Sequence, residues 1–292
     1  MATDSDVQTP EPPVRRGFIQ RYWFDVVLWK RVLAALVLGT ITGLVIGEAA
    51  TQIKWMGDVF IRLIRMVVAP LVYAQPGYDA KRDFTPVSLV SRYKFALAVP
   101  ASSPIKDVPA LREWLRANPK QFTVGVPATG SLPHFFALML GREIKQEPEV
   151  IGYRGSAPLI SELIGGILPQ GIDTLDTLLP QHRAGKIRIL ATSGDTRDAD
   201  LQDVPTFKES GVDLAADGWN AFFAPAAMPK AKVDRLGADI AAILREPTME
   251  EAVRAVFLEP VSQDAAGTAG ALSAYRKQWE PVVRDSGFTA TQ

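Results

Sequence analysis

The sequence contains no cysteine. Disulfide scaffolds, iron–sulfur clusters, cysteine nucleophiles and thiolate zinc sites are thereby excluded. Histidine is nearly absent too: His134 and His182 are the only 2 in 292 residues, too few for a His-rich metal site. An excess of either charge is missing. The 32 Lys and Arg balance 32 Asp and Glu, which argues against a nucleic-acid partner. No Walker A loop, dinucleotide fingerprint or Gly-x-Ser-x-Gly elbow occurs. Ser131 and His134 lie close in sequence, but a Ser–His hydrolase also needs a base oriented on its nucleophile. No enzyme activity and no cofactor are expected. What is present is ordinary for a folded protein: 47% hydrophobic and 22% charged residues, in a length that allows one or two domains.

The averages hide a seam near residue 75. Residues 1–28 form a Pro- and acid-containing, then basic, tail with too few apolar residues to fold. Val32 to Gly47 carries no charge and would span roughly 24 Å as a helix, short of the ~30 Å hydrocarbon core. Snorkelling by Lys30 and Arg31 would narrow the gap, and Tyr22, Trp23, Phe24 and Trp29 suit an interface belt. The reading is a single membrane-spanning helix. The basic residues Arg15, Arg16, Arg21, Lys30 and Arg31 before it place the N-terminus in the cytoplasm and the C-terminal domain in the periplasm. A buried helix of a soluble core and a cleaved export peptide are the other readings of this run. Trp55 to Tyr73 is apolar on one helical face, with Asp58, Arg62 and Arg65 on the other. It is expected as an interfacial amphipathic helix. Residues 29–74 thus form an expected anchor to the lipid bilayer of the inner membrane.

From residue 75 the periodicity changes. Phe84–Ser91, Phe95–Pro100, Thr123–Val126, Val150–Tyr153, Gly171–Leu175, Ile187–Ser193 and Ala221–Ala226 read as short strands. Helix-like runs lie between most of them: Val108–Ala117, Phe135–Lys145, Pro158–Ile164, Thr177–Ala184 and Phe207–Ser210. Two or three helices follow in 230–286. This alternation predicts an α/β fold with mainly parallel sheets, whose ligands bind at the carboxyl ends of strands. Two strand-to-helix corners fit that description. One runs Gly125-Val126-Pro127-Ala128-Thr129-Gly130-Ser131-Leu132-Pro133-His134; the other runs Tyr153-Arg154-Gly155-Ser156-Ala157-Pro158. In each a Ser is expected to cap the helix, and the freed N–H groups favour an anion such as a carboxylate. Gly-Ser before a helix is also commonly a cap and nothing more. His134 is read as packing or supporting its loop, and His182 as complementing a helix dipole. Trp114, Trp219 and Trp279 are read as packing.

Two resemblances rest on longer runs. Residues 29–72, including Gly57-Asp58-Val59-Phe60-Ile61-Arg62-Leu63-Ile64-Arg65-Met66-Val67-Val68-Ala69-Pro70, resemble the start of dicarboxylate/amino-acid:cation symporters. The later helices that hold substrate in that family have no counterpart here, so none of its sites carries over. Residues 78–288 resemble the extracytoplasmic solute receptors of tripartite tricarboxylate transporters, also called Bug receptors. The matching runs include Asp83-Phe84-Thr85-Pro86-Val87, Thr129-Gly130-Ser131 with His134, Tyr153-Arg154-Gly155-Ser156-Ala157-Pro158, Gly165-Gly166, Ala184-Gly185-Lys186-Ile187-Arg188, Asp203-Val204-Pro205-Thr206 and Phe222-Phe223-Ala224-Pro225.

The receptor resemblance implies a periplasmic-binding-protein-like fold of two α/β lobes with a ligand in the cleft. Its ligands are small carboxylates or related metabolites, and its partners are membrane permease subunits. It implies ligand contacts from Thr129, Gly130, Ser131, Gly155, Ser156 and Ala157. In some members an Asp matching Asp173 meets an amino or hydroxyl group of the ligand; capping the next helix is the plainer role. The family's first strand and its Pro-Gly-Gly-type loop do not occur before Tyr78. The second lobe, about 98–218, is expected to be complete. The first lobe, from 75–97 and 219–292, is expected to be partial, with open sheet edges, uncovered apolar helix faces and weak or absent ligand binding. The chain then reads as a fusion whose expected function is solute binding. The alternative is a symporter fragment with the receptor part as an appendage.

Overall fold

The computed structural model describes residues 79–289. The expected membrane span, amphipathic helix and basic tail lie outside the described residues. Among the described residues no helix is long and apolar enough to cross a membrane. In chain order the elements are α1 (Ala80–Asp83), β1 (Phe84–Pro100), α2 (Val108–Ala117), a 3-10 turn (Pro119–Gln121), β2 (Thr123–Val126), α3 (Leu132–Ile144), β3 (Glu149–Gly152), α4 (Ser156–Ile164), β4 (Gly171–Thr174), α5 (Leu175–Arg183), β5 (Ile187–Thr192), β6 (Asp217–Pro225), α6 (Lys230–Leu244), α7 (Pro247–Ala255), β7 (Glu259–Gln263) and α8 (Ala265–Asp285).

β1 organises the molecule. The sequence pattern reads it as two strands; it is one, of 17 residues. The misreading comes from Arg92 and Lys94, which interrupt the apolar run where the strand leaves one sheet and enters the other. Arg92 pairs with Asp217, and Lys94 with Asp198 at 3.1 Å, so neither charge breaks the strand. Before this point β1 pairs antiparallel with β6 and β7. After it β1 pairs antiparallel with β4 and β5. The larger sheet has the order β3-β2-β4-β1-β5. β2 is parallel to both β3 and β4 there, so the expected parallel character holds for this lobe and not for the β6-β1-β7 sheet.

Alternation along β1 divides the second lobe's core. Phe95, Leu97 and Val99 enter one apolar cluster with Val124, Phe135, Phe136 and Trp279. Ala96 and Ala98 enter the other with Leu159, Leu163 and Leu178. A strand buried on both faces suits a central position. Fully burying each large side chain here contributes ~1.5–3 kcal/mol. α8 starts with Asp264 accepting the Gly267 N–H at 2.8 Å. Its Tyr275, Trp279, Val282 and Val283 join the larger cluster. Trp279 and Trp219 are buried, as expected of packing residues, and Trp114 is partly buried against the same cluster.

The first lobe holds, among the described residues, a small apolar cluster of its own: Val87, Ala224 and Val233, with Met228 and Ile240 against them. Among the described residues β6 and β7 each pair with β1 alone. Phe222, Leu236, Ile243 and Val256 are exposed. Three helices occupy 230–286, as expected, but β7, which the pattern does not suggest, lies between the last two. Its sequence, Glu-Pro-Val-Ser-Gln, has a proline and one aliphatic residue, which an edge strand tolerates. Phe207–Ser210, expected as a helix, is a turn held by Ser210 N–H to Thr206 O and Val212 N–H to Phe207 O.

Candidate ligand-binding site

β2, β3 and β4 run in parallel, so their carboxyl ends share one edge of the second lobe. The first corner follows β2 and leads into α3, with Pro133 in its first turn. The second follows β3 and leads into α4. Neighbouring backbone joins the corners: the Tyr153 N–H donates to Val126 O at 2.9 Å, and the Gly155 N–H to Pro127 O at 2.8 Å. Thr129 lies directly against Gly152, where a side-chain carbon would sit 2.0 Å from Thr129 Oγ1. The third segment is the end of β4. Asp173 is buried there, and its Oδ1 accepts the Thr174 N–H at 2.7 Å. Burial pushes its carboxyl above the ordinary aspartate range; the Ser156 hydroxyl and the Thr174 N–H oppose that rise, and Asp176 adds to it. All seven residues expected at the site thus fall on three adjoining segments.

Their backbone donors are not equally free. The Gly130 N–H donates to His134 Nδ1 at 2.9 Å. The Ser131 N–H donates to Ala128 O at 3.2 Å, and the Ser131 hydroxyl to the same oxygen at 2.7 Å. Ser131 is the N-cap residue of α3, but its side chain makes no capping bond. Gly155, with φ of +105°, is the N-cap of α4, so Ser156 is the first helical residue rather than the cap. The N–H groups of Thr129, Ser156 and Ala157 find no acceptor among the described residues. These three, with the Thr129 hydroxyl, are the available donors, while the Ser156 hydroxyl serves Asp173. Tyr153 steadies the second corner: its hydroxyl donates to Glu162 of α4 at 2.5 Å. Burial and that carboxylate push the Tyr153 phenol up to about 12.

Residues outside the expected set hold the first corner in place. Gly130 has φ of +78°, a left-handed conformation that suits glycine. A Cβ there would sit 2.4 Å from the ring of Phe288, which follows α8. The same ring meets His134 edge-on at 5.6 Å. No local pattern announces Phe288, which is far away in sequence. His182 accepts the Ile189 N–H at 3.2 Å, tying α5 to β5 rather than serving only a helix dipole. Among the described residues no cluster of His, Asp and Glu is suited to a metal ion. A surface hollow of about 400 Å³ lies at the other end of α3, lined by Gly141, Arg142, Lys145 and Asp285 among others; it touches none of the three segments.

Comparison with known proteins places this arrangement. Residues 57–288 match the family described as the tripartite tricarboxylate transporter family receptor. Residues 28–75 match the sodium:dicarboxylate symporter family. The protein BugT of Bordetella pertussis is 28% identical over 251 residues, 84% of this chain and 77% of BugT. The solved structure of R. palustris Rpa4515 with adipate is 30% identical, with a TM-score of 0.70 over 77% of this chain and 75% of that one. A solved periplasmic transporter is 26% identical, with a TM-score of 0.69 over 77% and 75%. The fold is therefore the two-lobe, periplasmic-binding-protein-like α/β fold.

These findings correct the expected inner-membrane location with a single span. The matched family is one of transporter receptors, and a solved relative is described as a periplasmic transporter. The symporter-fragment alternative is not favoured either, because the receptor match covers most of the chain. The family's members are solute-binding receptors and not enzymes. The chain belongs to the tripartite tricarboxylate transporter receptor family.

Proposed function

We propose that this receptor takes a small dicarboxylate at the joined carboxyl ends of β2, β3 and β4 and presents it to the membrane permease subunits of a tripartite tricarboxylate transporter. The observation that carries the reading is the paired corner. The Gly155 N–H bond to Pro127 O holds two helix N-termini side by side, while the Thr129, Ser156 and Ala157 N–H groups stay unclaimed among the described residues. Helix N-termini with free N–H groups suit an anion. One carboxylate fits the Ser156 and Ala157 donors, with Thr129 and Ser131 beside it. Gly130 and Gly155 shape the corners, and Asp173, with its raised carboxyl, lies beneath as a polar floor. Rpa4515, 30% identical, was solved with adipate, which supports this ligand class.

The second lobe, about 98–218, carries all these residues, and the partial first lobe supplies little opposing wall. Affinity is expected to be weaker than micromolar, since each ~1.4 kcal/mol of lost contact costs about tenfold. The test is calorimetric titration of the full chain with adipate, malate and a neutral diester of adipate. Saturable binding of a dicarboxylate but not the diester, weakened by Ser156→Ala, is the expected result. Equal binding of acid and diester, or no carboxylate binding at millimolar concentrations, overturns it.

A further inference from the structure

His134 is buried, at 8% exposure, and lies in the first turn of α3. Its Nδ1 is used as an acceptor, from the Gly130 N–H at 2.9 Å. An imidazole that accepts at Nδ1 is neutral and carries its proton on Nε2. The bond closes a small ring across Gly130, Ser131, Leu132 and Pro133, the segment that turns the chain from β2 into α3. We propose that neutral His134 is the positioning residue of the ligand corner, holding Thr129, Gly130 and Ser131 in their carboxylate-binding conformation through its bond to the Gly130 N–H. The carboxylate part of this assignment rests on the function proposed above; the loop-setting part does not.

The surroundings give the device a direction. Phe135 stacks near the imidazole at 5.1 Å and Phe288 meets it edge-on at 5.6 Å. Burial lowers its pKa, favouring the neutral ring that accepts at Nδ1. The ion pair joining α3 to the end of α8, Arg142 with Asp285, lies two turns further along the helix. A second proton would turn Nδ1 from acceptor to donor and set it against the Gly130 N–H. Asp173, beneath the second corner, is the other titrating group at the site. Asparagine at 134 places a carboxamide oxygen near the Nδ1 position and does not titrate.

The experiment follows the Gly130 amide resonance of the full chain from pH 8 to pH 5, together with the His134 ring resonances, in wild type and His134→Asn. In wild type the Gly130 amide should shift with the imidazole's own midpoint, below pH 6.5; in His134→Asn it should not. Adipate affinity is then measured over the same range. Wild type should weaken by about tenfold through that midpoint, as for loss of one buried hydrogen bond. His134→Asn should lack that step, while both proteins keep any change due to Asp173 or to adipate itself. His134→Ala should bind about tenfold more weakly at every pH. A Gly130 amide indifferent to the imidazole's titration sinks the proposal, as does a His134→Asn profile with the wild-type step. If the amide responds but no carboxylate binds at any pH, the loop-setting role stands and the proposed function falls.

Discussion

Replacing Gly130 by alanine tests the first corner as drawn. Two costs arise from different atoms. The backbone sits at φ of +78°, and an L-residue in left-handed conformation costs roughly 1–2 kcal/mol. The new Cβ would also lie 2.4 Å from Phe288 Cε1 and 2.8 Å from Cζ. Carbon atoms prefer about 3.5–4.0 Å, so the ring must retreat by about 1 Å. In doing so it disturbs its edge contacts with His134 at 5.6 Å and Phe135 at 6.1 Å. Such pairs are each worth about 0.5–1.5 kcal/mol. Gly130→Ala should therefore destabilise the second lobe by about 2–4 kcal/mol. With Phe288→Ala already in place the steric part vanishes, and the same change should cost only the backbone share, roughly 1–2 kcal/mol. Urea unfolding of the four proteins in the cycle, compared at constant m-value, reads the coupling. Additivity within about 0.5 kcal/mol would mean that Phe288 does not press on the corner, and the packing argument would fail.

Two further expectations follow from buried groups. Asp173 has a folded-state pKa raised by burial, above its unfolded value of about 3.9. Above that unfolded value the folded state holds the proton longer, so this group's contribution to stability declines as pH rises toward the folded pKa and stays low beyond it. Asp173→Asn should remove that decline: the variant gains on wild type as pH rises from about 4, by thermal or urea midpoints, whereas a wild type that gains on the variant would show Asp173 stabilised as the anion. Trp279 is fully buried, meets Phe95 at 6.1 Å and Tyr275 at 5.8 Å, and has an indole N–H with no acceptor among the described residues. Trp279→Ala should cost about 3–5 kcal/mol and Trp279→Phe less than about 1.5 kcal/mol, since phenylalanine keeps the ring contacts and removes the orphan donor; equal losses would show that the indole bonds an unseen partner.

Local pattern made much of this fold legible. Thr123–Val126 and Val108–Ala117 stand where their patterns put them, because strand alternation and a helical apolar face each operate over one element. What escaped the sequence depends on a distant partner. β1 reads as two strands because Arg92 and Lys94 look like a break; they are tolerated through Asp217 and Asp198, more than a hundred residues away. β7 carries almost no apolar signal, and it exists because β1 offers an edge at Leu89, Ser91 and Arg92. The candidate site divides in the same way. Gly-Ser before a helix marks both corners, but which amides remain free is decided by acceptors across the corner. Pro127 O claims Gly155, and His134 claims Gly130. Burial of Asp173 is equally invisible locally, since it follows from β4 lying between β2 and β1.

This division of labour bears on what loosening the first lobe would cost. Each segment of the candidate site lies between β2 and the start of α5, within the second lobe. The contacts that shape them also come from that lobe, or from the end of α8 packed against it. The sheet beneath is anchored by the half of β1 that is buried on both faces, not by the half that pairs with β6 and β7. Loosening the first lobe should therefore lower affinity by removing an opposing wall while leaving the corners formed. A solvent-facing loss in that lobe, such as Leu236→Ala on α6, should leave the Gly130 amide resonance unchanged, whereas Phe288→Ala should shift it. If Leu236→Ala moves that resonance as far as Phe288→Ala does, the corner is supported from the first lobe, and the separation argued here is wrong.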